Sequence, residues 1–230
     1  MKILVIADIH GDFESLSNVL AELKNDFDVL VCPGDFTDIG LSLAGFSRED
    51  MLQIMLDELL GCGKPVFALP GNHDPPEVHR IFDEYCVNLH GTGKIIDGVG
   101  FFGFGGAKTP FGTPFEPSEE ETANGLKKAF DAVAGARKKI MITHNPPKNT
   151  KLDRVLSGSH VGSQAIRDFI LKNKPDVAIS AHIHEARGTD VLGSTQLIYP
   201  GAVTDGWAGI IGVGNAVETK ILNTKTKQNG

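Results

Sequence analysis

Cysteine is scarce. The chain has three in 230 residues, Cys32, Cys62 and Cys86, an odd number, widely spaced and without a Cys-x-x-Cys pair. This speaks against a disulfide framework and for reduced thiols in a cytoplasmic protein, with Cys32 a small buried hydrophobe. Basic charge is in deficit: 22 Lys and Arg stand against 29 Asp and Glu, for a net charge of −7. A general nucleic-acid binder needs a basic stripe, and a single-strand binder needs basic residues interleaved with aromatics. Neither is present, so nucleic acid is not expected as a partner. Long hydrophobic runs are missing too. No stretch approaches the roughly 20 apolar residues of a membrane span. The first apolar run, Ile3 to Ala7, is stopped by Asp8 and is too short for a signal peptide. Repeats and obvious linkers are absent. Length divided by about 150 residues gives roughly 1.5 domains, and a single domain over 1–230 is expected. At 41% hydrophobic and 22% charged residues, the composition is that of a folded globular chain.

Strand and helix patterns alternate from the first residues. Lys2 to Ala7 is a continuous apolar run suited to a strand buried on both faces. Glu14 to Lys24 has apolar residues at helical spacing, and Asp28 to Asp35 is a second strand ending in a turn. Arg48 to Leu60 repeats the helical period, with Gly61 and Gly63 at its end, and Lys64 to Asn72 is a third strand. Strand–helix–strand alternation implies parallel pairing and an α/β chain. Asn88 to Gly106 reads as two or three antiparallel strands joined by Asp97-Gly98, and 107–118 as a loop. Ser118 caps a helix reaching about Ala134. Lys138 to His144 is another buried strand, Ser163 to Lys172 a helix and Asp176 to His182 a strand. Strands at 196–199, 209–214 and 217–222 follow, and Lys225 to Gly230 is expected to fray.

Polar residues gather where these strands end. Asp8 and His10 follow the first strand, Asp35 the second, Asn72 and His73 the third, His144 the next, and His182 with His184 the last of the five. In open α/β sheets the carboxyl ends of the strands share one rim, where ligands bind. Asp8, His10, Asp35, Asn72, His144, His182 and His184 are good ligands for a divalent transition metal such as Mn, Fe, Zn, Ni or Co. They exceed what one ion takes, so two ions are expected. A pair about 3.5–4 Å apart needs a bridging carboxylate, for which Asp35 is the natural choice.

Taken together, Asp8-x-His10, Gly34-Asp35, Gly71-Asn72-His73-Asp74, His144 and Ala181-His182-x-His184 resemble the signature blocks of the calcineurin-like metallophosphoesterases, in the family's order. His144-Asn145-Pro146-Pro147, Thr150 to Asp153, Val161-Gly162-Ser163 and His182 to Glu185 resemble a prokaryotic subgroup related to the Icc phosphodiesterases. The resemblance implies two packed mixed β-sheets flanked by helices, a four-layer α-β-β-α sandwich. It implies that Asp8, His10 and His184 hold one metal, Asn72, His144 and His182 the other, and that Asp35 bridges them. A metal-bridging hydroxide would attack phosphorus, His73 would donate a proton to the leaving oxygen or stabilise charge there, and Asp74 would orient His73. Ile39 stands where the family's protein serine/threonine phosphatases carry a phosphate-gripping arginine. That difference speaks against a protein phosphatase and for phosphodiesters or small phosphomonoesters; a small-molecule or nucleotide phosphodiesterase is the favoured reading, with manganese among the candidate metals. Thr143 and Ala181 replace commoner glycines without altering a ligand. The competing readings are a metal-bearing protein-binding scaffold without turnover and a nuclease.

Other features carry plainer readings. His79, His90 and His160 are expected at the surface or in caps, and Gly100, Gly103, Gly105 and Gly106 as turn and bulge glycines rather than a dinucleotide motif. Lys148 and Asn149 are possible phosphate contacts. Loop 108–117 could be a rigid surface loop or a wall of the substrate pocket. Oligomeric state is not legible.

Overall fold

Eleven strands form two sheets in the computed structural model, which describes residues 1–23, 26–39 and 45–225. The first sheet holds β1 (Lys2–Val5), β2 (Val29–Cys32), β3 (Val66–Ala68), β10 (Trp207–Val213) and β11 (Val217–Asn223), in the order β11-β10-β1-β2-β3. The second holds β4 (Thr92–Ile96), β5 (Val99–Phe104), β6 (Lys138–Thr143), β7 (Val177–Ile179), β8 (Gly188–Leu192) and β9 (Thr195–Tyr199), in the order β4-β5-β6-β7-β9-β8. Both are mixed. β1, β2 and β3 run parallel, as do β5, β6, β7 and β9, while β10, β11, β4 and β8 pair antiparallel.

The period-two alternation of the strands explains the layers. Ile3 and Val5 of β1, Val29 and Val31 of β2, and Ile140 and Ile142 of β6 belong to one buried cluster between the sheets. Leu4, Leu30 and Cys32 face the other way, onto helices α1 (Phe13–Leu23), α2 (Arg48–Leu60) and α3 (Val78–Glu84). Met141, Leu197 and Tyr199 face α4 (Glu119–Asp131) and α5 (Gln164–Asn173) on the opposite outer surface. The arrangement is the expected α-β-β-α sandwich, and strands buried on both faces account for the continuous apolar runs.

Local chemistry sets the helix ends. Ser47 with Asp50 and Ser118 with Glu121 form reciprocal capping boxes on α2 and α4. Ser163 caps α5, and Asp12 accepts from the Ser15 N–H (2.9 Å) at the start of α1. Helix α4 stops at Asp131 rather than near Ala134, because Val133 and Ala134 turn back onto Phe130 and Asp131 through short-range carbonyl bonds. Lys24, expected at the end of α1, Gly40 of the second motif block and most of the tail, 226–230, lie outside the described residues. The stretch 88–106 yields the strands β4 and β5 with Asp97-Gly98 as their turn, while Asn88 and His90 make only isolated bridges. Two elements escape the sequence pattern: α3 is seven residues long, and β8 mixes polar and apolar residues on a sheet edge.

Candidate metal centre

The parallel strands of both sheets aim their carboxyl ends at one rim. Asp8 and His10 come from the turn after β1, Asp35 after β2, Asn72 and His73 after β3, His144 after β6, and His182 and His184 after β7. Backbone hydrogen bonds lace these turns together: Asp8 N–H to the Gly34 carbonyl (3.3 Å), His10 N–H to that of Asp35 (2.9 Å), and Ala181 N–H to that of His144 (2.9 Å). Asp8, His10, Asp35 and His182 all have positive φ, at 52°, 48°, 55° and 76°. Non-glycine residues hold that conformation only where the surroundings enforce it, and such residues cluster at functional sites. Two glycines make the close approach possible. A Cβ on Gly71 would strike the Asp35 carboxylate, and one on Gly34 (φ +115°) would lie 2.8 Å from His144 Nδ1.

Three groups of potential donors result among the described residues: His10, Asp38 and His73 form one of them, and the other two hold the expected ligands. Asp8, His10 and His184 each offer an atom within 4.8 Å of the others, and so do Asp35, His144 and His182. Asn72 joins the second set through Oδ1, 2.9 Å from His144 Nε2. The Asp35 carboxylate sits between the sets, with Oδ2 3.3 Å from His144 Nε2 and 3.8 Å from His10 Nε2. Asp8, Asp35, Asn72 and His144 are buried. Buried carboxylates need a compensating cation, and the ion-pair partners of Asp8 and Asp35 among the described residues are histidines alone. His10 Nδ1 and Asn72 Nδ2 are buried with no hydrogen-bond partner. A nitrogen-and-oxygen donor set of this kind, with carboxylate bridging geometry, fits two divalent transition metal ions.

The electrostatics are strongly coupled. Burial works against a charged His144 ring, but Asp35, Asp8 and the Pro33 carbonyl outweigh it and raise its pKa to about 9. Burial and the neighbouring His144 push His182 down to about 3. Burial opposes ionisation of Asp35, yet His144, His10 and the His73 N–H hold its carboxyl well below the usual range. The Asp8 carboxylate is fixed from behind by the Tyr199 hydroxyl, which donates to Oδ2 at 2.6 Å, and by the His182 N–H at 3.3 Å. Tyr199 is absent from the sequence expectation. Its only sequence signal is a tyrosine at the end of the strand Thr195–Tyr199, just before Pro200-Gly201.

The surroundings of His73 differ from the sequence expectation. Its ring Nδ1 pairs with Asp38 Oδ1 at 2.8 Å. Asp74, expected in that place, turns the other way. It accepts from the N–H groups of Phe36 (2.9 Å), Thr37 (3.0 Å) and Gly71 (2.8 Å), and so ties the Asp35 turn to the Asn72 turn. Burial and the Asp35 charge raise its pKa to about 6. Adjacency to His73 is a poor guide here, because successive side chains in a turn diverge. Asp38, three residues after Asp35, is the carboxylate that the fold returns to the rim beside His73. Arg48 supports the same turn, its guanidinium donating to the His73 carbonyl.

These residues open on a cleft of about 630 Å³. Its lining includes His10, Asp35, Asp38, Asn72, His73, His182 and His184, together with Lys108, Phe111, Val155, Val161 and Glu185. Loop 108–117 thus contributes a wall of the cleft. Lys148 and Asn149 are not among its lining residues. His160 pairs with Asp153 (2.7 Å), away from the cleft. His79 and His90 are half-buried in an aromatic stack with Phe104 and Phe115, contrary to a surface placement. Burial takes His90 down to about 3, and its free Nδ1 accepts from the Gly105 N–H (3.0 Å).

Comparison with known proteins agrees with this architecture. Residues 1–186 match the calcineurin-like phosphoesterase family, and the chain belongs to it. That family works with two divalent transition metal ions, which the donor sets here fit. An uncharacterised protein of Methanocaldococcus jannaschii, MJ1162, is 34% identical over 205 residues, spanning 87% of this chain and 88% of that one. Among solved structures, TT1561 of Thermus thermophilus has a TM-score of 0.73 at 18% identity, covering 97% of this chain and 98% of that one. A dimetal phosphatase from Danio rerio also reaches 0.73, at 12% identity, with 97% and 96% covered. These two likenesses are of fold. No helix among the described residues is long and apolar enough to cross a membrane.

Proposed function

We propose that the chain is a two-metal phosphodiesterase acting on a small phosphoester. The observation that carries this reading is the Asp35 carboxylate standing between two donor sets, with His73 beside them on the same cleft. In this reading Asp8, His10 and His184 would hold one ion, Asn72, His144 and His182 the other, and Asp35 would contribute to both. When bound, such a pair neutralises charge on phosphorus-bound oxygens and activates water near neutral pH. His73 gives a proton to the ester oxygen as its bond to phosphorus breaks and the bond to the water oxygen forms. Asp38 holds the His73 ring in position. The description of the Danio rerio neighbour as a dimetal phosphatase is in keeping with this chemistry.

A diester is favoured on charge. Among the described lining residues Lys108 is the one Lys or Arg, while Asp38 and Glu185 are also there. That balance suits the single charge of a diester better than the two charges of a monoester. Ile39, where a phosphate-gripping arginine would stand in the protein phosphatases, points the same way. Manganese is the metal to try first, and the cytoplasm is the proposed compartment, on the reduced-thiol reading of the cysteines. The whole chain is proposed to act as one unit, since donors come from both sheets.

The test compares bis-p-nitrophenyl phosphate with p-nitrophenyl phosphate, using metal-stripped protein with and without Mn²⁺. Metal-dependent turnover favouring the diester is expected, with a fall of at least about 100-fold in kcat for Asp35→Asn and His73→Ala. Unchanged hydrolysis in either variant would refute the assigned roles. Metal binding without turnover on any ester would favour a binding scaffold instead.

A further inference from the structure

The loop between β5 and α4 is braced so that one apolar ring stands in the open. At its start the Gly106 N–H donates to the Pro70 carbonyl (2.8 Å), and near its end the Phe115 N–H donates to the Asn72 carbonyl (3.2 Å). Both anchors lie on the turn that presents Asn72 to the donor set. Just past the second anchor, Glu116 Oε1 accepts from Thr109 Oγ1, Thr113 N–H and Thr113 Oγ1, each at 2.6 Å. The Phe111 N–H donates to Thr109 Oγ1 (3.2 Å), and Pro110 and Pro114 restrict the backbone on either side. At the tip, Phe111 is 85% exposed and yet lines the cleft, as do Val155 and Val161 from the segment after β6.

A single exposed apolar side chain is ordinary on a protein surface. The backbone that carries this one is tied to the Asn72 turn at both ends and cross-braced within by Glu116. Aromatic faces attract planar rings more strongly than apolar area alone accounts for, and a ring mounted on an ordered backbone has only its own side-chain torsions to fix on binding. We propose that Phe111 is a specificity-determining residue, a stacking platform for a planar ring on one arm of the phosphoester. The proposal rests on the phosphoesterase reading above.

The test is equilibrium binding by calorimetry to the full-length, Mn²⁺-loaded protein. Phenylphosphonate and cyclohexylphosphonate share one head group and similar bulk and differ in planarity. The parent protein is expected to bind phenylphosphonate about fivefold more tightly. Phe111→Ala should bring the two within about twofold, and Phe111→Trp should keep the preference. Circular dichroism verifies that both variants fold. Equal binding by the parent protein, or a preference that survives in Phe111→Ala, overturns the assignment. Failure of the underlying reading looks different. Neither phosphonate then binds, no ester is hydrolysed by the parent protein, and the assignment falls with it.

Discussion

A proton donor is only as good as its aim. The His73 ring has one nitrogen engaged by Asp38 at 2.8 Å, which leaves the other free to face a leaving group. Asp38 is therefore a positioning residue. Replacing it by Asn keeps the size and one oxygen but removes the charge that fixes the ring. Partners of this kind typically matter by 10–100-fold. For Asp38→Asn we expect kcat to fall about 10–100-fold with KM little changed. The loss should be larger for an alkoxide leaving group than for p-nitrophenolate, which needs less protonation. A structural defect would lower both equally, so equal losses would remove Asp38 from this role. Most of the rim is legible at this scale because a His, Asp or Asn ending a buried apolar run is conspicuous. The choice between Asp38 and Asp74 is not legible, since it depends on which way two side chains leave one pair of turns. The exposed Phe111 is equally silent, because its place is set by Glu116 and by the Asn72 turn rather than by any local pattern.

Among elements, those with strong periodicity or a cap can be read directly. The α2 span Arg48–Leu60 and the Ser118 cap follow from apolar spacing and from Ser with a carboxylate three residues on, whereas Ser163, placed inside its helix by spacing, proves to be the cap before Gln164. The short α3 and the edge strand β8 cannot, though Gly193-Ser194 between β8 and β9 is a hairpin signal. The segment 148–163 has the composition of a loop, yet Asp153 organises it. That buried carboxylate accepts from the N–H groups of Asn149 (3.0 Å), Thr150 (2.8 Å) and Gly162 (3.0 Å), and from His160 Nδ1 (2.7 Å). Burial opposes its ionisation, but these partners outweigh burial and lower its pKa. A carboxyl whose pKa is lowered by folding adds stability above its unfolded pKa of about 3.9, and that stability is lost as pH falls through the folded value. Asp153→Asn should cost about 1–3 kcal/mol at neutral pH. Its deficit relative to the parent protein should shrink as the pH falls below about 4. Urea unfolding at several pH values reads both, and a deficit independent of pH would mean that the charge of Asp153 contributes nothing.

For the whole molecule, the centre is a joint between two sheets. Asp8, His10, Asp35 and Asn72 come from the first, and His144, His182 and His184 follow strands of the second. Between the sheets lies an apolar cluster that needs no metal to form, so the fold should persist without ions. The rim is another matter. Two buried carboxylates and several imidazoles meet there, four ligand residues hold positive φ, and His10 Nδ1 and Asn72 Nδ2 lack partners. Ions bound there should stabilise the folded state by mass action, by about 2.7 kcal/mol at a hundredfold excess over Kd. For a chain of this size each kcal/mol moves Tm by about 2–4 °C. Removing metal with a chelator should therefore lower Tm by roughly 5–10 °C, and Mn²⁺ should restore it. Asp35→Asn takes away the carboxylate common to both donor sets, so its Tm should respond to Mn²⁺ by less than about 2 °C. A parent protein whose Tm ignores both chelator and Mn²⁺ would mean that the converging side chains do not bind the ion, whatever their geometry. A full response in Asp35→Asn would mean instead that the two donor sets bind independently and that Asp35 does not join them.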